Sequence, residues 1–449
     1  MHAVAAPFLA MALLLSGCLQ TAERPSTPDP VAPSPPGPLE PSYPEGPGEP
    51  PRPPVEPSAE RTLVGIGGDA EASLAAGADG VMLVCSHGGF TKPSPLWASD
   101  DGGLTWREVH PAPNHPPSGD CDVAVAPDGT WYVAYATLAS VTMAASTDRG
   151  QTWKVTYVSA VPVGGIVDRP WIVAREGDLL LSYIGGDAAG IFCRRIEALG
   201  VYSCANAHLS MVARSTDGGQ TWAEYRVAMA PSGIPETCTT GRTFATGDGV
   251  VHLPLACWPS AGPSPPALRV GLLSSRDLQA WEFQQAHASS LGLFTVPTAT
   301  QSPDGTFWLT WAEGSRAEGG VIAAASSDGA SWSPPLVVAS NRTSGGFLWP
   351  WIAAHDRGAT LGWMDQTPHE GSPAWNVVVA TIEADSRVQT RTTHYAEGDM
   401  VYEFSMVSLD AAGRAFLVHP LLGDGCKKSP PGMDDRRRNE QCIWLLRAA

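Results

Sequence analysis

Apolar and polar residues along this chain fall into short blocks that recur. Seven times an acidic or small residue and a Gly open a run rich in β-branched and aromatic residues. The runs are ADGVMLVCS near Gly80, PDGTWYVAYA near Gly129, REGDLLLSYI near Gly177, GDGVVHLPLA near Gly249, PDGTFWLTWA near Gly305, DRGATLGWMD near Gly358 and AAGRAFLVHP near Gly413. Each is preceded by another short apolar run, such as DVAVA, PWIVA or FSMVSL. The Gly-bearing step favours a tight turn and both flanks have strand character, so every copy predicts a β-hairpin.

A second pattern, Ser-x-Asp-x-Gly-x-Thr-Trp, follows the hairpins as SDDGGLTW at Ser99 to Trp106, STDRGQTW at Ser146 to Trp153 and STDGGQTW at Ser215 to Trp222. Worn copies are SSRDLQAW at Ser274 to Trp281, where Arg276 and Leu278 replace the Asp and Gly, and SSDGASW, which keeps Ser326, Asp328 and Trp332 but is one residue short. A catalytic motif needs one copy; repetition points to one structural unit per copy. This turn adds a second hairpin to each unit, making four strands. Four-stranded units in series predict an all-β fold, a seven-bladed β-propeller of four-stranded antiparallel blades, with about 55 residues per blade over residues 61–449. The seventh unit runs out one strand short after CIWLLRAA, so RTLVGIGG, Arg61 to Gly68, is expected to supply that strand and close the ring. In each turn Asp101, Asp148 or Asp217 can accept backbone N–H bonds, Gly103, Gly150 or Gly219 permits a left-handed conformation, and Trp106, Trp153 or Trp222 covers the hairpin. A turn between third and fourth strands lies opposite the channel mouth, so these Asp residues read as staples.

The eight-residue box resembles the Asp-box, or bacterial neuraminidase repeat, of sialidase-like propellers, and the resemblance covers the chain from about residue 61 onward. A six-bladed ring of the sialidase type is the second architecture it implies. The superfamily holds sialidases, other glycosidases, receptors and assembly factors, so the box specifies the fold far better than an activity.

The N-terminus changes the picture of location. MHAVAAPFLAMALLLSGC holds an apolar run of about 13 residues, too short to span a bilayer and placed where an export signal belongs. Leu15-Ser16-Gly17-Cys18 resembles a bacterial lipobox. That implies residues 1–17 as a lipoprotein signal peptide, lipidation at Cys18 and, with Leu19 following, an outer-membrane address on the periplasmic or cell-surface side. Residues 18–60 are Pro-rich and read as a disordered stalk. The membrane is then met through the Cys18 lipid alone. A net charge of -17 argues against a nucleic-acid partner.

Nine cysteines less Cys18 leave eight, enough for four disulfides in an exported protein. The spacings suggest Cys193 with Cys204, Cys426 with Cys442 and Cys238 with Cys257, leaving Cys85 for Cys121. No Cys-x-x-Cys occurs, and neither metal nor cofactor is expected.

In a propeller the loops that enter the innermost strands crowd around the channel mouth, the default ligand site. The charged residues at those entrances are Asp69, Asp120, Asp122, Asp168, Arg169, Arg242, Arg342 and Glu403, the last beside Tyr402. Trp171 and Trp351, in the matching segments DRPWIVA and WPWIAA, read as inter-blade core. The sialidase resemblance implies Arg169, Arg242 and Arg342 as a carboxylate clamp, Tyr402 as nucleophile, Glu403 as its base, and Asp120 or Asp69 as the acid. Neighbours on an extended strand, however, point to opposite sides, which separates Tyr402 from Glu403. The leading expectation is an anchored propeller that binds a glycan or protein at its mouth; the alternative is an exo-acting glycoside hydrolase of the sialidase type.

Overall fold

The computed structural model describes residues 61–447 apart from several loop segments, the longest being 423–440; residues 1–60 and 448–449 also lie outside the description. Seven antiparallel sheets follow one another along the chain. Blade 1 runs from the axis outward as Ser73–Ala76, Met82–Cys85, Leu96–Ser99 and Arg107–Val109. Blades 2 to 6 repeat this order, with innermost strands Cys121–Val125, Gly165–Arg175, Glu236–Thr240, Thr298–Gln301 and Phe347–His355. A separate two-stranded sheet, Ile191–Ile196 with Val201–Asn206, is inserted in the sequence of blade 3.

Blade 7 is built from both ends of the described chain. Met406–Leu409, Ala415–Leu422 and Gln441–Arg447 supply three strands, and Arg61–Gly68 pairs antiparallel with the last of them, from Arg61 opposite Leu446 to Gly68 opposite Gln441. The expected closure is therefore present. It also touches blade 1: a Cβ on Gly65 would fall 2.1 Å from Trp97 Nε1, so only Gly lets the closing strand pass that indole.

The repeated turns work as hydrogen-bonded staples. Asp217 Oδ1 accepts from Ser215 Oγ at 2.8 Å and from the Gln220 and Thr221 N–H groups at 2.9 Å, while Thr221 Oγ1 donates to Oδ2 at 2.7 Å. Trp222 Nε1 donates to Gly219 O at 3.2 Å, and Gly219 has φ +84°. Asp101 and Asp148 repeat this wiring.

Blade 4 corrects one reading of the sequence. Its turn starts at Ser275, one residue later than expected, and Asp277 takes the Asp role, accepting the Gln279 and Ala280 N–H groups at 2.9 Å. Leu278 stands alone in the Gly position, at φ +63°. The turn has seven residues, like that of blade 5, where Asp328 and Gly329 do the same work. Matching residue types at fixed spacing placed Arg276 on the Asp position; the hydrogen bonds show that a residue has been lost instead.

Candidate functional site

Gly102 N–H donates to Gly80 O at 2.8 Å, joining the turn after the third strand of blade 1 to the turn after its first. Both therefore lie on one face, and the segments that lead into the innermost strands lie on the other. Two disulfides stand on that other face, Cys85–Cys121 in blades 1 and 2 and Cys238–Cys257 within blade 4. Cys442 is also disulfide-bonded. Cys426 lies outside the described residues, as do the side chains of Cys193 and Cys204.

Five polar side chains gather at the mouth. Glu71 precedes the first strand of blade 1, His87 follows its second, Asp120 precedes the first strand of blade 2, and Asp168 and Arg169 occupy a bulge in the first strand of blade 3. Asp120 is the hub. Its Oδ1 lies 3.4 Å from His87 Nε2, its Oδ2 accepts the Arg169 N–H at 3.2 Å, and Glu71 and Asp168 hydrogen-bond to it as well. The Gly89 N–H donates to His87 Nδ1 at 2.8 Å, which puts the ring proton on Nε2, facing Asp120. Glu71, His87 and Asp120 bring donor atoms within 4.8 Å of one another, the spacing of a metal site. With Nδ1 accepting, however, Nε2 serves as a proton donor to Asp120 and not as a metal ligand.

The carboxyls of this cluster are driven apart in proton affinity. Burial raises that of Asp120, but hydrogen bonding with Glu71, the field of His87, hydrogen bonding with Asp168 and the charge of Arg169 outweigh it and hold the group below the usual range. Asp168 moves the other way: burial and the neighbouring Asp120 carboxylate push it up against the pull of Arg169. Its side chain is 43% exposed, so water tempers the rise. Of the pair, Asp168 is the one biased towards the acid form and Asp120 towards the carboxylate.

The backbone around the cluster is strained. Glu71, Arg169 and Trp349 have φ of +49°, +53° and +39°, each at the lip of an innermost strand, whereas the other left-handed non-glycines Asp79, Arg149, Leu278 and Ser386 sit in turns between strands. Left-handed backbone costs about 1–2 kcal/mol per residue and persists where the surroundings impose it, commonly at functional sites. Arg169 also lies over the Trp349 ring, 5.5 Å from its centroid.

Two of the expected mouth residues are engaged inside the framework. Asp122 is fully buried; Ser73 Oγ and the Ile172 N–H donate to its carboxylate, the latter at 2.7 Å, and Arg242 Nη2 approaches at 3.2 Å. Arg242 donates further to Ile172 O at 2.8 Å and Val123 O at 3.2 Å. The pair pins the inner strands of blades 1 to 4 around the axis, because the alternation of Cys121–Val125 aims Asp122 inward. Asp69, Arg342, Tyr402, Glu403 and Cys18 lie outside the described residues. The search for charges at strand starts missed Glu71, His87 and Trp349, although Glu71 and Trp349 each stand two residues before an inward-facing residue and His87 two after Cys85.

No protein-family model and no curated protein matches the chain. Solved structures do. An ulvan lyase solved with a GlcA-Rha3S unit is similar at a TM-score of 0.50 and 10% identity, over 86% of this chain and 96% of that one. An α-L-arabinanase of Penicillium chrysogenum is similar at 0.44 and 14%, over 74% and 97%, and a Hadza microbial sialidase at 0.44 and 14%, over 79% and 73%. This is a likeness of fold.

Proposed function

We propose that this chain is a lipid-anchored, extracytoplasmic propeller that binds a glycan at its disulfide-rimmed mouth. The observation that carries the reading is the Glu71, Asp120 and Asp168 cluster, in which carboxyl groups of unequal proton affinity stand side by side with His87 Nε2–H. Sugar hydroxyls both donate and accept, and such a mixture meets them in either role. The cluster favours a neutral glycan. Of the three arginines that would clamp an acidic sugar, Arg242 is tied to Asp122 and two backbone carbonyls, which leaves Arg169 as the described candidate. Anchoring rests on the Leu-Ser-Gly-Cys18 sequence.

Hydrolysis is the second reading, favoured by the divergent proton affinities of Asp120 and Asp168, with Asp168 as acid. A glycan array probed with the full chain separates the two when run beside a panel of fluorogenic glycosides that includes a sialoside. Binding to neutral glycans, lost in Asp120→Asn and without turnover, is the expected result. Turnover abolished by Asp168→Asn would establish the enzyme instead, and silence in both assays would sink both readings.

A further inference from the structure

On the turn face, two pairs of neighbouring blades, 1 with 2 and 2 with 3, are tied by residues that follow the turn's Trp. Arg107, after Trp106, donates to Arg149 O in the turn of blade 2 at 2.8 Å. Lys154, after Trp153, donates to Gln220 Oε1 in the turn of blade 3 at 2.8 Å, and Thr156 Oγ1 to Gly219 O at 2.7 Å. Between blades 4 and 5 the corresponding residue is Glu282, after Trp281. Among the described residues no hydrogen bond joins these two turns, and a cleft of about 680 Å³ lies open between them, bordered by Glu282, Gln284, Asp277, Asp328 and His252.

Three features of the cleft call for a cation. Asp277 lacks the outer hydrogen bond that Thr221 gives Asp217, because Ala280 stands in the Thr position; only its Oδ1 is bonded within the turn. Arg276 at the rim is held by Asp248 at 3.0 Å, so no described ion pair offsets Asp277, Glu282 or Asp328. His252 is 6% exposed, its Nδ1 lies 2.8 Å from Ser274 Oγ, and its Nε2 has no hydrogen-bond partner among the described residues. Nε2 is thus a buried polar atom at the cleft wall with no hydrogen-bond partner among the described residues. Burial keeps this imidazole below its ordinary range, at about 4, so it is neutral near pH 7 and does not repel a cation.

We infer that the cleft is a second binding site, which receives an ammonium or guanidinium group from a basic segment of a partner protein. That group replaces in trans the cations that Arg107 and Lys154 provide within the chain. The site lies on the face opposite Asp120 and Asp168 and is independent of the glycan reading.

The test titrates the full chain with the pentapeptide Gly-Lys-Gly-Lys-Gly, its acetyl-lysine counterpart and glucosamine, following tryptophan fluorescence. Saturable binding of the lysine peptide is expected, with at least tenfold weaker binding of the acetylated form. Glu282→Lys, which supplies the missing cation in cis, and Glu282→Gln should each weaken it at least tenfold, while Asp168→Asn leaves it unchanged. No saturable binding, equal binding of the acetylated peptide, undiminished binding by Glu282→Lys in a folded protein, or binding of glucosamine alone would each overturn the proposal.

Discussion

Trp171 and Trp351 meet across the propeller axis, their ring centroids 5.2 Å apart and their planes tilted by 59°. They come from blades 3 and 6, which are not neighbours in the ring, and each follows a Pro in a bulged innermost strand. Both are buried in the cluster that joins blade 7 to blade 1. On the turn side of this contact runs an axial cavity of about 360 Å³ lined by residues of all seven inner strands, many of them alanines. Trp351→Ala would extend that cavity and remove a large apolar contact. A loss of about 3–5 kcal/mol is expected, read by chemical denaturation; a loss under 1 kcal/mol would show that the indoles do not brace the axis.

Asp122 and Arg242 make the second axial brace. Removing one partner of a buried pair leaves the other uncompensated, at a typical cost of about 3–5 kcal/mol. Arg242→Met is therefore expected to lower unfolding stability by that amount, with Asp122→Asn similar in direction. If Arg242→Met unfolds like the parent but loses a glycan ligand, the arginine belongs to recognition and its framework role fails.

How far these features could be read from the sequence differs by element. Blade number, the closing strand and the Asp101, Asp148 and Asp217 staples were legible because each depends on local turn chemistry repeated at regular intervals. The Cys238–Cys257 pair was legible because its two cysteines flank one hairpin, where they stand opposite each other, and Cys85–Cys121, which joins two blades, followed only as the pair left over. The mouth was legible only as a region. Whether Asp122 faces a ligand or Arg242 depends on residues 120 positions apart meeting at the axis, and no local pattern reports that. His87 and Glu71 were missed for the same reason: their significance lies in Asp120, to which the ring brings them.

The staples should be visible in acid. Hydrogen bonds from Thr105, Ser99 and Leu104 hold Asp101 at about 2, those from Thr152, Ser146 and Gln151 hold Asp148 at about 2, and Asp217 is lowered in the same way. A carboxyl whose folded value lies below its unfolded one of 3.8 adds stability above that pH, and the gain is lost as pH falls through the folded value. Midpoints measured from pH 4 to pH 2 should therefore fall, and Asp217→Asn should lower stability at pH 7 while flattening that acid slope. An unchanged slope would mean the turn carboxyls do not carry it.

The buried histidines act over a different window. Burial holds His252 at about 4 and His419 at about 3, against 6.5 when exposed. Below 6.5 the unfolded chain takes up protons that the folded one refuses, so stability is full above that pH and declines as pH falls towards 4. For His252 the complete loss is roughly 3 kcal/mol by linkage, somewhat less where the cleft admits water. Denaturation midpoints between pH 7 and pH 4.5 should fall for the parent and fall less for His252→Gln; identical profiles would place the dependence elsewhere.

Deleting Arg61 to Gly68 tests the ring itself. The strand pairs along its length with Gln441–Arg447, and Val64 is buried in the axial cluster with Trp97, Ile443 and Leu445. Without it the last blade exposes the unpaired edge of Gln441–Arg447, and blade 1 loses the backbone that passes Trp97. A propeller opened at its closure should melt well below the parent and show concentration-dependent association through the bare edge. The measurement is a thermal melt at two protein concentrations beside light scattering. A truncated chain that melts like the parent and stays monomeric would mean that the other six blades and the axial tryptophans hold the ring without a closing strand.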